Sequence, residues 1–211
     1  NLPEITDNLC HHLSFHDSDF TDIFVVEAGS DKDKLSKNTT WYADWEQSKK
    51  NGLRYNRGMN YGLSKLYLEN KFHNYDAFFL LTNDVELEKK ASIKIMLEIL
   101  DEHKKIGILS PCSPRWGEFN LLNEFETKYF WFIHNCAYLV RREFIEAICN
   151  FNEINEMKFF FDGENFRGYG SEHEIIAKAY ANDWSAAITK RVKATENETH
   201  LLEKSALIKT D

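Results

Sequence analysis

Residues 78–86 read Phe78-Phe79-Leu80-Leu81-Thr82-Asn83-Asp84-Val85-Glu86, an unbroken apolar run that meets three polar residues, with a second acid two positions on. An apolar run of this length, bounded by polar turn residues, suits a strand buried on both faces of a parallel sheet. Ligands in open α/β sheets sit at the carboxyl ends of such strands. A carboxylate delivered there can hold Mg²⁺ or Mn²⁺ against a phosphate, because these ions favour carboxylate oxygens and share them with substrate phosphates. Asn83 and Asp84 equally suit a plain turn, since both residue types often start turns after strands. The segment alone does not separate the two readings.

Working outward, apolar and polar patterning predicts a short helix over Pro3–Leu13 and a strand over Asp22–Glu27 ending in Ala28-Gly29-Ser30-Asp31. Trp41–Lys50 is weakly helical. Arg54–Gly62 reads as a polar junction into a helix that runs to about Asn70. The opening strand spans Asp76–Leu81. Ser92–Lys104 is an amphipathic helix with Ile93, Met96, Leu97 and Leu100 at helical spacing. Ile106–Leu109 is a strand closed by Pro111 and Pro114, and Arg115–Phe125 reads as a loop. Lys128–Val140 is rich in aromatic and branched residues and reads as β. A helix over Arg141–Cys149, a short apolar run at Lys158–Phe161, a Gly-rich loop at Gly163–Gly170, a helix over Glu172–Asn182 and a strand at Trp184–Ile188 complete the pattern. Alternation of strands and helices in the first half implies parallel crossovers. The second half breaks that alternation, which implies an antiparallel element or an added subsite.

With 211 residues, 43% hydrophobic and 14% aromatic, the chain has the material for one domain with a substantial core and is not of disordered composition. A net charge of −8 argues against nucleic acid as a partner, since phosphate backbones need a basic face. No apolar stretch reaches the length of a membrane span, and no signal-peptide pattern is present. Cys10, Cys112, Cys136 and Cys149 are widely spaced and lack a Cys-x-x-Cys pair, so they read as reduced, mostly buried thiols of a cytoplasmic protein. The chain begins at Asn1 without a methionine, which fits either a fragment or a trimmed chain.

Four polar segments carry the candidate chemistry. Glu27-Ala28-Gly29-Ser30-Asp31 follows a strand, and Glu27 or Asp31 could accept hydrogen bonds from a base or ribose; an ordinary turn explains it as well. Arg57-Gly58-Met59-Asn60-Tyr61-Gly62 allows close approach at a helix start, with Arg57 available to a phosphate. Thr82-Asn83-Asp84 is the third. Gly168-Tyr169-Gly170-Ser171-Glu172-His173-Glu174 places two carboxylates and an imidazole in the first turn of a helix, where the macrodipole favours acids. A Ser171 cap followed by acidic residues is also what helices prefer without any chemistry.

Taken in order, these four segments resemble the family 2 inverting glycosyltransferases of the GT-A fold. In that family a strand ends in Asp-x-Gly-Ser, and a Gly-x-x-Asn-x-Gly stretch follows. An apolar strand then runs into an Asp-x-Asp-like motif, and a Glu-Asp-x-Asp/Glu-Leu precedes a helix and a Gly-Trp or Gly-Tyr. Here the matching residues are Glu27-Ala28-Gly29-Ser30, Gly58-Met59-Asn60-Tyr61-Gly62, Leu80-Leu81-Thr82-Asn83-Asp84-Val85, and Ser171-Glu172-His173-Glu174-Ile175 with Asp183-Trp184 after it. Ile106-Gly107-Ile108-Leu109-Ser110-Pro111 and Ala137-Tyr138-Leu139-Val140-Arg141-Arg142-Glu143-Phe144 also look like segments of that family. The likeness runs from about Asp22 to His200. Thr82 stands where the first acid of the metal motif belongs, and Ser171 where a Glu is usual. Glu172 falls at the catalytic Asp, one methylene longer.

The resemblance implies a Rossmann-like, mostly parallel sheet with helices on both faces, in a single domain over residues 1–211. A donor half would cover about 1–110 and an acceptor half about 111–211, with the family's first strand lying before Asn1. It implies an inverting enzyme of surface-polysaccharide synthesis. The donor would be a UDP-, dTDP- or GDP-sugar, the acceptor a glycan, a lipid-linked group or a protein, and the setting the cytoplasm, peripheral to a membrane. Asp84 would hold Mn²⁺ or Mg²⁺ with His200, while Glu27, Asp31, Arg57, Asn60 and Asn83 would line the donor. Glu172 would deprotonate the acceptor hydroxyl. His134, Asn135, Trp116 and Trp131 would face the acceptor. The competing readings are a sugar nucleotidyltransferase, which shares the fold class, an inactive carbohydrate-binding module of that fold, and a metal hydrolase built on His173, Glu174 and His200.

Overall fold

The computed structural model describes residues 2–29, 31–114, 118–131, 136–197 and 199. Helix α1 (Pro3–His16) leads into β1 (Val25–Ala28), β2 (Thr39–Ala43), α2 (Glu46–Asn51) and α3 (Arg54–Leu68). There follow β3 (Ala77–Leu81), β4 (Val85–Leu87), α4 (Ser92–Glu102), β5 (Ile106–Cys112), α5 (Glu118–Leu122) and β6 (Thr127–Tyr129). The chain closes with β7 (Ala137–Arg141), α6 (Arg142–Ile148), α7 (Ser171–Ala181) and β8 (Ser185–Glu196).

The sheet is not the Rossmann-like, mostly parallel one the resemblance implies. Strands β1 and β2 form a separate two-stranded parallel sheet. The other six make a mixed sheet in the order β3-β7-β5-β8-β4, with β6 also on β8. Within it β5–β8 is the parallel pairing among the described residues; β3–β7, β5–β7, β4–β8 and β6–β8 are all antiparallel. The opening strand explains the difference. Phe78 and Leu80 are buried while Phe79 and Leu81 are half-buried, and β3 lies at one end of the strand order, paired to β7. An all-apolar run reads alike for a central parallel strand and for an outer antiparallel strand covered on both faces.

Other segments differ from the sequence reading in ways that shape the site. Trp41 and Tyr42 lie in β2, where branched and aromatic side chains fit a pleat, and helix begins at Glu46. The Arg57–Gly62 junction lies wholly inside α3. The loop expected at Arg115–Phe125 contains α5, and the β run over Lys128–Val140 is two strands, β6 and β7. Beyond Ile188, β8 continues to Glu196. Its register on β5 jumps from Pro111↔Thr189 to Cys112↔Lys193, and its end then pairs with β4.

Alternate residues of the sheet enter two apolar clusters. Leu109, Leu139 and Ala187 pack with Met96, Ile99 and Leu100 of α4. Ile108, Tyr138, Val140, Ala186 and Ile188 join Phe144 of α6, Ile175, Ile176 and Ala179 of α7, and Leu63 and Leu66 of α3. Full burial of an aliphatic or aromatic side chain is worth about 1.5–3 kcal/mol, so these clusters supply the main driving force. Helix α4 has no capping side chain of its own at Ala91. Asp17, 1% exposed, supplies one from a distance: its Oδ1 accepts from the Ile93 and Lys94 N–H groups at 3.1 and 3.2 Å.

Candidate functional site

The turn after β3 is held from both sides. The Thr82 N–H donates to the Cys136 carbonyl at 3.0 Å, and the Asn197 N–H donates to the Asp84 carbonyl at 2.8 Å. Val85 pairs with Glu196, so the ends of β3, β7 and β8 meet around Asp84. Cys136 is buried there, and its thiol is pushed up, first by burial and then by the charges of Glu196, Asp84 and Glu118. Glu118 comes inward from α5 and is 4% exposed. Its Oε2 accepts from the Ser113 N–H at 2.9 Å, and burial raises its carboxyl. Burial and the Glu118 charge push the Cys112 thiol to about 12.

Helix α7 brings the next carboxylate. Gly170 sits at φ 74°, a backbone conformation that a side chain would strain, and leads directly into Ser171. The buried Ser171 hydroxyl donates to the Gly168 carbonyl at 2.7 Å. Glu172 follows in the first turn with its side chain 13% exposed and 3.7 Å from the His173 ring. Its Oε2 is buried, and no described residue hydrogen-bonds it. The charge of Glu172 acts on two tyrosines whose rings meet edge to face at 6.5 Å, Tyr55 from α3 and Tyr138 from β7. Both hydroxyls are sealed from solvent and have no hydrogen-bond partner among the described residues, as is also true of Glu118 Oε1 and Thr82 Oγ1. Burial, then neighbouring groups that include Glu172, holds both phenols well above their usual range. At neutral pH they can donate a hydrogen bond to a ligand oxygen but cannot take its proton.

Buried polar atoms in native proteins nearly all have partners, and each exception calls for an explanation. Tyr55, Tyr138, Glu118 and Glu172 hold four such exceptions, and the charges of Glu172 and Glu118 both act on Tyr138. Of the four, sequence reading singled out Glu172. Tyr138 was visible as part of the acceptor-side segment Ala137–Phe144, but nothing local marked its hydroxyl. Glu118 lay in a stretch read as loop, and Tyr55 in a stretch read as junction.

The other predicted site residues fall elsewhere. Asn60 is fully buried; its amide donates to the Glu156 and Phe161 carbonyls and accepts from the Phe160 and Phe161 N–H groups, at 2.8–3.1 Å. Arg57 donates from Nε to the Gly163 carbonyl at 2.7 Å and lies 4.8 Å over the Phe166 ring. With Asn56, which donates to the Asp162 and Asn165 carbonyls, they tie the 156–168 loop to α3. Glu27 accepts from the Ser36 N–H at 3.4 Å in the small sheet. Asp31 pairs with Lys34 at 2.6 Å on the surface, which holds its carboxyl below the usual range. Asn83 is exposed and donates to Thr6 at 3.3 Å, and Glu86 accepts from Asn197. Glu174 pairs with Lys178. His200, His134, Asn135, Trp116 and Ser30 lie outside the described residues; Trp131 is 70% exposed. Among the described residues no group of three or more His, Cys, Asp or Glu side chains could hold a metal ion. All four cysteines are free thiols, and Cys10, Cys112 and Cys136 are buried.

Compared with protein-family models and with curated protein sequences, the chain matches none. Among the described residues no helix is long and apolar enough to cross a membrane.

Proposed function

We propose that the chain is an inverting glycosyltransferase that moves a sugar from a nucleoside diphosphate sugar to an acceptor hydroxyl, with Glu172 as general base. The observation that carries this reading is the Glu172 carboxylate, with one oxygen sealed from solvent, no described partner for it, and a charge that acts on two buried phenols. Leaving a buried acceptor unmet costs about 1–3 kcal/mol, and a bound hydroxyl would meet it. The sequence likeness of the turn at Thr82-Asn83-Asp84 and of the helix start at Ser171-Glu172 to the nucleotide-sugar transferases supports a nucleotide-sugar donor.

In this reading the acceptor O–H gives its proton to Glu172 as its oxygen attacks the anomeric carbon. The bond from that carbon to the diphosphate breaks, and the nucleoside diphosphate leaves with the electron pair. A positioned general base contributes on the order of 10²–10⁴-fold. Tyr55 and Tyr138 donate hydrogen bonds to ligand oxygens and orient the acceptor. Asp84 is the carboxylate that would share Mn²⁺ or Mg²⁺ with the donor diphosphate, where the ion would offset the charge of the leaving group. The described residues form no metal centre without the donor's own oxygens, and the proton transfer to Glu172 does not depend on one. The donor is a UDP-, dTDP- or GDP-sugar, and the acceptor a glycan, a lipid-linked group or a protein.

Calorimetric titration with UDP, dTDP and GDP, with and without Mn²⁺, tests the donor half. Binding of one nucleotide in preference to the others is expected. No binding of any of the three under either condition overturns the reading.

A further inference from the structure

Helix α1 closes on a pair of histidines. His12 and His16 stand four residues apart, so one helical turn brings them to the same face. Both are half-buried. Their ring centres are 4.6 Å apart, with the ring planes tilted by 50°. His12 Nε2 is sealed from solvent and has no hydrogen-bond partner among the described residues. Burial, then the neighbouring His16, holds the His12 ring below its usual range, against the opposing pull of Asp17 and the Glu88 backbone. At neutral pH the ring is therefore the neutral imidazole, the form that binds metal ions.

Asp17 follows directly and is the buried carboxylate that caps α4. The cap uses Oδ1 alone, while Oδ2 is sealed and has no partner among the described residues. The charge of Asp17 acts on His12. Buried charges in proteins are normally paired or bound to a metal. The other acid near the pair, Glu88, is engaged by Lys90 and Lys193. Two imidazoles that share one ion through bonds of about 2.0–2.1 Å hold their ring centres about 4.5–5 Å apart, and the observed spacing fits. Ring packing alone would explain that spacing, but not a sealed imidazole nitrogen and a sealed carboxylate oxygen that are both unmet.

We propose that His12 and His16 bind a divalent transition-metal ion such as Zn²⁺ at the end of α1. Imidazole nitrogen suits Zn²⁺, Cu²⁺ and Ni²⁺. Asp17 offsets the charge of the ion from the buried side, and solvent fills the remaining positions. This is a clip of two ligands, not the centre of three or more that the described residues lack. Its affinity is accordingly expected in the micromolar range, well short of a closed four-ligand centre. The ion would staple the last turn of α1, next to the residue that caps α4. The clip shares no residue with the glycosyl-transfer reading and does not depend on it.

Calorimetric titration of the whole chain with Zn²⁺ tests this. His12→Gln and His16→Gln are each expected to weaken Zn²⁺ binding at least about tenfold, since even the outer-shell partners of a metal are worth about 10–100-fold. His11→Gln, which removes an exposed imidazole of the same helix, and Asp84→Asn are expected to leave it unchanged. Saturating Zn²⁺ should also raise the thermal unfolding midpoint of the parent by a few degrees, and not that of either clip variant. Circular dichroism checks the fold of each variant, and His16→Gln serves if His12→Gln does not fold. No Zn²⁺ binding by the parent, or parent-like binding by a folded His12→Gln or His16→Gln, overturns the proposal. An equal loss in His11→Gln or Asp84→Asn also overturns it, because the ion would then sit elsewhere.

Discussion

Asn60 and Glu172 are both polar side chains drawn into apolar surroundings, and their environments are opposite. Every hydrogen-bonding position of the Asn60 amide is engaged, with two donors on carbonyls and its oxygen on two N–H groups of one loop. Glu172 has a sealed oxygen with no described partner, and its charge acts on two tyrosines whose hydroxyls are in the same condition. The first arrangement holds the 156–168 loop against α3 and leaves nothing over for a ligand. The second leaves hydrogen-bonding capacity where solvent does not reach. Burial of a polar residue therefore does not by itself mark a site. What separates scaffold from candidate site is whether the protein satisfies the group.

The largest expected effect breaks the comparison on the functional side. Glu172→Gln keeps the shape of the side chain and removes its basicity, so turnover of a nucleotide-sugar should fall on the order of 10²–10⁴-fold. Unchanged turnover would move the base elsewhere. On the scaffold side, Asn60→Ala strands two N–H groups and two carbonyls of the buried loop. A loss of about 4 kcal/mol or more is expected, seen as a fall of roughly 10 °C in the unfolding midpoint. A midpoint within a degree or two of the parent would show that the loop is held by other contacts.

Tyr138→Phe sharpens the comparison, because it deletes a buried hydroxyl that has no partner to lose. Stability should hold or rise by about 1 kcal/mol while turnover falls about tenfold, the worth of one hydrogen bond to substrate. The opposite pair of outcomes would make Tyr138 a scaffold residue like Asn60. Glu118 gives the smallest effect, through pH. Its carboxyl is raised by burial, so the folded state binds a proton more readily than the unfolded chain. Its contribution is most favourable below the ordinary carboxyl range and is lost as pH rises through the elevated value. Denaturation of Glu118→Gln against the parent should therefore show the variant gaining relative stability as pH rises from about 4 towards neutral. A constant difference across that range would mean the carboxyl is not perturbed.

The strand at Phe78–Leu81, the amphipathic α4 and the helix after Gly170 were all legible from sequence, because each carries a strong local pattern. The sheet was not. Its hand depends on β7 lying antiparallel between β3 and β5, and no local feature of Ala77–Leu81 or Ala137–Arg141 encodes that neighbour. The late residues of β8 were unreadable for a related reason. Lys190–Glu196 is polar along the sequence, yet pairing with β5 and β4 holds it as strand. At the site, Glu172 stood out because acids cluster in its helical turn. Tyr55, Tyr138 and Glu118 did not, since a tyrosine in an apolar run and a lone acid in an apparent loop look ordinary until the fold brings them together. Arg57 and Asn60 were legible as a polar stretch between glycines. That pattern does not distinguish a ligand-facing amide from one that clamps a loop more than ninety residues away in sequence.

The central claim is that Glu172 is kept for a ligand rather than for the fold, and its most direct test needs no knowledge of the substrate. The measurement is the thermal unfolding midpoint of Glu172→Gln beside that of the parent chain. A midpoint equal to or above the parent's is predicted, because the carboxylate oxygen being replaced has no partner to lose. A fall of several degrees, approaching that expected for Asn60→Ala, would show that the carboxylate belongs to the scaffold and would contradict the account.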